Sequence, residues 1–318
     1  MFGKKLVRDM ICRSAENPAD RRRFLKAAGA VGLGVVGASA LPAAGAAAAG
    51  TPATAARAPR DENPPSDGAI LNFALNLEYL EAEFYSWAVF GHGLANSLIS
   101  GSGHLGGVTG GAAVPFKTAR FRKYATEIAN DEVAHVKFLR TALGDAKVSR
   151  PDIDIKNSFT AAARAAGLIS ATQTFNPFAN ENNFLLGAFL FEDVGVTAYK
   201  GAAPLIDNAG YLEAAAGILA VEAYHAATVR SALYEKEMGA AAKKISDARD
   251  SLDGNWSSDE GVVKGTGANI VPTDANGIVY SRSYDRVLNI VYLNPGSVTS
   301  GGFYPSGLNG SLRTSAGG

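Results

Sequence analysis

The sequence predicts an all-α fold, an antiparallel four-helix bundle followed by an irregular, β-prone tail. Four long segments between residues 68 and 235 repeat apolar residues at intervals of three and four, the spacing of an amphipathic helix. After residue 253 the composition changes to Gly, Ser, Asn and Thr, with too few apolar residues for a second core. The 318 residues are 47% apolar, which suffices for a large bundle and excludes a chain disordered throughout.

Charge and cysteine content exclude several classes of protein. Thirty basic residues balance thirty acidic residues, so the chain lacks the electrostatic character of a nucleic-acid-binding protein. Cys12 is the only cysteine in the sequence. An intrachain disulfide framework and a metal site built from several thiolates are therefore both excluded.

Residues 1–49 are interpreted as an export signal. The segment RRRFLK at residues 21–26 precedes an Ala-, Gly- and Val-rich run, and residues 44–48 offer a small-residue cleavage site. The basic segment resembles a twin-arginine (Tat) signal, which predicts a periplasmic or secreted protein without a stable membrane anchor after processing. A membrane-spanning helix is the alternative, but the run is short and glycine-rich for a bilayer core of about 20 residues. Residues 50–66, rich in Ala, Pro and Thr, are expected to form a linker.

The first two predicted helices are separated by a long loop. The first helix is predicted over residues 68–90, with Glu83 on its polar side. Residues 91–116 contain many glycines and no helical period, so they are expected to be loop. The second helix is predicted from about residue 117 to residue 143.

The second pair of helices follows a connection long enough to cross the bundle from end to end. This connection, residues 146–181, contains a short predicted helix near 158–169. The third long helix is predicted over 182–202, where a nearby proline stops it. The fourth is predicted over 211–235, and residues 243–252 either extend it or form a separate short helix.

The C-terminal tail contains two β-prone pieces, at 278–280 and 287–292. We expect the tail to pack on the bundle through the apolar residues of the second piece. The predicted organisation is therefore a bundle over 67–253 and a tail over 254–318.

Each long helix places a glutamate on the side expected to face the core. Burying an ionised carboxylate costs several kcal/mol unless it is paired or bound to a metal ion. In the second and fourth helices a histidine follows the glutamate by three residues, so both side chains project from one face. All four glutamates lie near the middle of their helices, where antiparallel helices can bring them together. The chain repeats one scheme twice, a Glu-x6-Tyr helix and then a Glu-x-x-His helix: Glu78 and Tyr85, Glu132 and His135, Glu192 and Tyr199, Glu222 and His225.

These motifs resemble the ferritin-like superfamily, in which two helices each supply a Glu and two supply Glu-x-x-His to a dimetal site. The chain is also similar to bacterial and plant ferritin-like proteins related to desiccation-associated proteins, through LNFALNLEYLEAEFY at 71–85, VEAYHAA at 221–227 and GGFYPSGLNG at 301–310. The resemblance implies two Fe or Mn ions bridged by carboxylates, with dioxygen or peroxide as partners. Oxygen and imidazole donors suit Fe, Mn or Zn. The ligands implied by position are Glu78, Glu132, His135, Glu192, Glu222 and His225.

Glu81 departs from this pattern. It lies one turn after Glu78 and still within the apolar arc of the first helix, where a small residue is expected. Three interpretations remain open. Glu81 is an added metal ligand, a base beside the site, or the first-helix ligand in place of Glu78.

Four further residues lie beside the implied ligands. Tyr85 and Tyr199 are expected to be core residues whose hydroxyls bond a ligand carboxylate. Asp131 and Asp193 point sideways, and we expect salt bridges from them rather than support of the ligand histidines.

Three functions remain open from the sequence. The first is a redox metalloprotein that oxidises ferrous ion or removes peroxide, and the second is a stress-protective structural protein without turnover. Metal storage ranks last, because the loop at 91–116 and the tail would obstruct assembly of a cage. The twin-arginine pathway carries folded proteins, which favours a cofactor bound before export. The metal, the substrate and the oligomeric state, including a homo-oligomer, stay open.

Overall fold

The computed structural model describes residues 64–254 and 258–317. The predicted export signal and nearly all of the predicted linker lie outside these residues. Within the described chain, no helix is long and apolar enough to cross a membrane.

The described chain is mostly helical, with two small two-stranded sheets. Strand β1 (Val108–Thr109) pairs in parallel with β2 (Ile153–Asp154), and β3 (Val263–Lys264) pairs antiparallel with β4 (Gly267–Ala268). The helices are α1 (Asp67–Phe90), α2 (Ala119–Leu143), α3 (Asn157–Ala165), α4 (Glu181–Ala202), α5 (Ala209–Glu235), α6 (Gly239–Asp253) and α7 (Tyr284–Val291).

Helices α1 and α2 run antiparallel. Near the start of α1, the Asn72 side-chain amide donates to the carbonyl of Ala146, just beyond α2, at 3.0 Å. Near the end of α1, the carbonyl of Ala88 accepts from the backbone N–H of Val114, just before α2, at 2.8 Å. The first helix pair of the predicted bundle is therefore confirmed. The connecting loop leads from the end of α1 to the start of α2 at the same end of the bundle.

The connection between α2 and α4 crosses the bundle, as predicted. Glu181, the first residue of α4, accepts a hydrogen bond from the backbone N–H of Thr118 at the start of α2, at 2.9 Å. It also accepts from Lys236, just beyond the end of α5, at 2.7 Å. Helices α2 and α4 thus begin at the same end of the bundle, where α5 ends.

Capping residues set the ends of the helices. The Ser66 side chain accepts from the Ala69 N–H at the start of α1, and Gly91 ends this helix with a φ of 73°. Glu237, with a φ of 56°, separates α5 from α6. Residues 239–253 therefore form a separate helix, which settles the alternative left open by the sequence.

The polar side predicted for α1 is buried, so the placement of Glu83 on an exposed face is wrong. Glu83 is fully buried and forms an ion pair with Arg150. Its other oxygen, Oε2, accepts from the backbone N–H of Leu94 at 3.2 Å. The loop after α1 and the segment around Arg150 fold over this face, and ion pairing makes burial of the carboxylate possible.

The tail packs on the bundle, but its principal element differs from the extended piece predicted. Residues 284–291 form helix α7, whose Val287 and Leu288 are fully buried. Phe303 continues the packing, with its ring centroid 4.9 Å from that of Phe191. Val, Ile and Tyr favour strands, yet a buried apolar face at helical spacing overrides that preference here.

Three fully buried arginines join the tail to the helices. Arg230 of α5 donates to Asp193 at 2.8 Å, and Arg249 of α6 donates to the same carboxylate at 2.9 Å. Arg282 of the tail donates to Asp253 at 2.6 Å, and it also binds Asp259, which pairs with Arg249 at 2.7 Å. The salt bridge expected for Asp193 is thus present.

Candidate metal centre

The structure brings all six implied ligands together in the middle of the bundle, and all six are buried. They form two overlapping groups, Glu78–Glu132–His135–Glu222 and Glu132–Glu192–Glu222–His225. Within each group, one donor atom from every residue lies within 4.8 Å of all the others. Glu132 and Glu222 belong to both groups, which is the arrangement required for two ions bridged by carboxylates. We call these six residues the carboxylate–histidine cluster.

Distances within the cluster suit shared ions. His135 Nδ1 lies 3.2 Å from Glu78 Oε2, 3.4 Å from Glu132 Oε2 and 3.5 Å from Glu222 Oε1. His225 Nδ1 lies 3.0 Å from Glu132 Oε1. Donors that bind one ion at about 2.0–2.2 Å lie roughly 3 Å apart, so these separations match a common centre.

Donor atoms without partners mark the same place. Both carboxylate oxygens of Glu132 and of Glu222, together with Glu192 Oε2 and His225 Nδ1, are buried and form no hydrogen bond. Native proteins leave few buried polar atoms unsatisfied. Six such atoms on four neighbouring residues therefore fit bound cations, and oxygen and imidazole donors suit Fe, Mn or Zn.

Formal charge supports two divalent ions. The two groups contain four carboxylates in all, and two divalent cations would balance their four negative charges while both imidazoles stayed neutral. Without cations the same four negative charges would be buried together. Such an arrangement is unfavourable, because burial removes hydration that no counter-charge replaces.

The pKa values describe how the cluster behaves without metal. Burial raises the pKa of Glu78 to about 8, and burial also raises the pKa of Glu192 and of Glu222. Burial opposes ionisation of Glu132 too, but the two neighbouring histidines, His135 and His225, hold its pKa well below the usual value. Burial lowers the pKa of His225, yet Glu132 and Glu192 outweigh it and raise that pKa to about 10. Protons therefore neutralise part of the charge when metal is absent.

Two tyrosines orient the carboxylates that belong to only one group. The Tyr85 hydroxyl donates to Glu192 Oε1, and the Tyr199 hydroxyl donates to Glu78 Oε1. Each tyrosine comes from the helix that carries the other carboxylate. One oxygen of each carboxylate is thus held by a tyrosine, and the other faces the cluster, as expected for these residues.

Asp131 forms its salt bridge with His225, a candidate ligand, so the two roles considered for it meet in one contact. Its Oδ2 lies 3.2 Å from His225 Nε2. A hydrogen bond from Nε2–H leaves the Nδ1 lone pair of the neutral ring directed into the cluster. In the sequence, Asp131 is recognisable only as the carboxylate directly before Glu132 of the Glu-x-x-His motif. That position alone does not distinguish a partner of a ligand histidine from a residue in a surface salt bridge.

Glu81 lies beside the cluster rather than in either four-residue group. It is buried, and burial together with the neighbouring carboxylates raises its pKa well above the usual value. Gly195 of α4 faces it. A Cβ atom on Gly195 would lie 3.6 Å from Glu81 Oε1 and 2.5 Å from Glu222 Oε2. Because Glu78 belongs to a four-residue group and Glu81 belongs to neither, the geometry favours Glu78 as the first-helix ligand.

Comparison with known proteins agrees with the geometry. The family model of the ferritin-like domain matches residues 66–235. The chain is 31% identical to desiccation-related protein PCC13-62 of Craterostigma plantagineum over 270 residues, which cover 78% of this chain and 82% of that protein. It is 28% identical to ferritin-like catalase Nec2 of Nesocodon mauritianus over 267 residues, 78% of this chain and 85% of that protein. No solved structure gives a significant match. The chain belongs to the ferritin-like domain family.

Proposed function

We propose that this is an exported ferritin-like protein that holds two Fe or Mn ions and uses them to remove hydrogen peroxide. The observation that carries the proposal is the pair of overlapping ligand groups that share Glu132 and Glu222. The name of one relative, a ferritin-like catalase, supports peroxide as the substrate. The RRRFLK segment supports export to the periplasm or the exterior.

Peroxide removal by this protein needs no second substrate. One hydrogen peroxide loses two electrons and two protons and becomes dioxygen, and a second gains them and becomes two water molecules. Two redox-active ions, when bound, would hold the two electrons between these half-reactions. Oxidation of ferrous ion, by contrast, requires a continuous supply of iron to the site.

The protein's own contribution is to fix the ligands. Glu132 and Glu222 lie between the two groups and would hold both ions at a constant separation. Tyr85 and Tyr199 hold Glu192 and Glu78 in place through one oxygen each. Such supporting hydrogen bonds preserve ligand orientation and maintain the geometry of a metal site.

The experiment is to purify the protein from its native compartment, measure its metal content, and follow dioxygen release from hydrogen peroxide. The metal is then removed, and samples are reloaded with Mn, Fe or Zn. We expect two ions per chain, and one dioxygen for every two peroxides with Mn or Fe. Zinc suits the same donors but has no redox chemistry, so the zinc-loaded protein is the matched control and should release none. A purified protein that binds no metal would refute the proposal.

A stress-protective role without turnover is the second candidate. It is favoured by the 31% identity to a desiccation-related protein. Two bound ions without dioxygen release, together with a lower melting temperature after chelation, would support this candidate over peroxide removal.

A further inference from the structure

A small cavity lies beside the carboxylate–histidine cluster, between α1, α4 and α7. Its volume is about 20 Å³, and its lining includes Leu80, Leu190 and Val291 together with Glu81 and Gly195. Glu81 is the only charged residue in the lining. A cavity needs roughly 10–15 Å³ to hold one water molecule, so this one admits molecules of one or two heavy atoms.

Gly195 lines this cavity and packs against Glu222, one of the two shared carboxylates. A Cβ atom at this position would lie 2.5 Å from Glu222 Oε2, closer than non-bonded atoms approach, and 3.6 Å from Glu81 Oε1. A side chain on residue 195 would therefore displace the Glu222 carboxylate. At this position no side chain stands between the cavity and Glu222.

The internal repeat loses its symmetry at this point. Glu78 and Glu192 occupy equivalent positions, and each is followed by a tyrosine seven residues later. Three residues after these glutamates, one helix carries Glu81 and the other carries Gly195. At this position α1 thus carries an extra carboxyl group, and α4, which faces it, carries no side chain.

We propose that this cavity, which we call the access cavity, is the path by which substrate reaches the cluster. Gly195 is its size-determining position, and Glu81 is a positioning residue that accepts a hydrogen bond from the substrate at the inner end. The inference rests on the proposed function and deepens it by naming a substrate class. The cavity volume admits hydrogen peroxide or dioxygen and excludes alkyl hydroperoxides.

The test narrows the access cavity from α7, away from the ligands. Val291→Phe fills it, and Ala202→Leu fills a second apolar cavity of about the same volume, 20 Å³, as the matched control. Metal content is measured first, and then the rate at which azide binds to the Mn-loaded protein and the kcat/KM for hydrogen peroxide. We expect Val291→Phe to keep its metal while both rates fall by roughly tenfold, with little change in the control. Val194→Leu narrows the same cavity from α4 and takes the place of Val291→Phe if that variant does not fold.

A widening variant tests the size limit from the opposite direction. Leu190 lines the access cavity and also a neighbouring apolar cavity next to α3 and α6. Leu190→Ala should raise the kcat/KM for tert-butyl hydroperoxide, relative to that for hydrogen peroxide, by roughly tenfold. An unchanged ratio would overturn the assigned size limit.

The two proposals fail in different ways. If the metal-loaded wild-type protein releases no dioxygen, the proposed function is wrong, whereas the azide rates still test the path. If the wild-type protein is active and Val291→Phe shows unchanged azide binding and peroxide turnover, substrate enters elsewhere and the access cavity is refuted.

Discussion

Glu132 and Glu222 are the residues whose surroundings most strongly favour a bound cation. All four of their carboxylate oxygens are buried without a hydrogen bond, and both side chains belong to each ligand group. A buried polar cluster without metal would instead satisfy its oxygens with donors, as Glu83 does with Arg150 and Leu94. The contrast between these buried glutamates separates a metal site from an ion-paired core.

Chelation should lower the melting temperature of the protein, and Fe or Mn should restore it. Ions that bind only the folded state stabilise it by about 2.7 kcal/mol when free metal is a hundredfold above its dissociation constant. The double variant Glu132→Gln/Glu222→Gln should lose this response, because both carboxylates shared by the two ligand groups are gone. Calorimetry with and without chelator measures both effects.

The matched control for that experiment is Glu127→Gln/Glu213→Gln. These two glutamates are exposed on the same two helices, α2 and α5, so the control changes charge equally without touching the cluster. It should retain the full response to metal. A normal metal-dependent shift in the Glu132/Glu222 variant would mean that the ions bind elsewhere.

The metal-free protein should become less stable as pH rises. The pKa of Glu78 is about 8 in the folded protein against an ordinary 4.5, and that of His225 is about 10 against 6.5. For each group, between its ordinary pKa and its folded-state pKa, the folded state binds more protons than the unfolded state. The stability present at low pH is therefore lost as pH rises through 8 for Glu78 and through 10 for His225. Metal replaces those protons, and the stabilisation by Mn should therefore grow with pH. Melting temperatures at pH 5.5 and pH 8, with Mn and with chelator, test this; a smaller Mn effect at pH 8 would contradict it.

Among the secondary-structure elements, the four long helices were predictable because their apolar spacing continues for six or more turns. The predicted starts of α1, α2, α4 and α5 differ from the observed starts by one or two residues, and the predicted C-terminal ends agree with the observed ends. The buried polar side of α1 was not predictable. Glu83 pairs with Arg150, 67 positions away, and spacing within a helix does not reveal which distant segment covers it. Helix α7 was missed for a related reason. Its residues favour a strand, and the helix is stabilised only when its apolar face packs on the bundle.

Glu181 connects the elements at one end of the bundle, and its removal should weaken that end. It accepts from the backbone N–H groups of Lys117 and Thr118 at 3.1 and 2.9 Å, and from Lys236 at 2.7 Å. Burial opposes its charge, but Lys236 and Thr118 outweigh burial and lower its pKa to about 2. Glu181→Gln should therefore reduce the free energy of unfolding at pH 7 by about 1–3 kcal/mol.

The loss caused by Glu181→Gln should depend on pH. A carboxyl group with a folded-state pKa of about 2 stabilises the protein above its ordinary pKa of 4.5, and this contribution disappears as pH falls through 2. Urea unfolding of wild type and variant should therefore differ at pH 7 and converge near pH 2. Glu127→Gln, on the exposed face of α2, is the control. Equal stability of wild type and Glu181→Gln at pH 7 would contradict the role of Glu181.

At the scale of the whole molecule, the site depends on the tail as well as on the bundle. Arg282 binds Asp253 and Asp259, and Arg249 connects Asp259 to Asp193, the neighbour of Glu192 in α4. Breaking a buried pair of this kind costs about 3–5 kcal/mol, so the tail and the helices should unfold together. Val291 of α7 also forms part of the access cavity. A complete candidate site therefore requires the chain to be folded at least through α7.

Because the site is complete only when the tail is folded on the bundle, a metal-loaded protein is best exported by a route that carries folded proteins. We expect Arg21→Lys/Arg22→Lys to block export, because the twin-arginine receptor reads the residue pair as an address. The retained protein should accumulate in the cytoplasm, folded and carrying its metal. Arg23→Lys, at the next position of the same basic segment, is the matched control and should be exported normally. Fractionation followed by metal analysis tests all three statements, and normal export of the double variant would show that the chain uses the general secretory route.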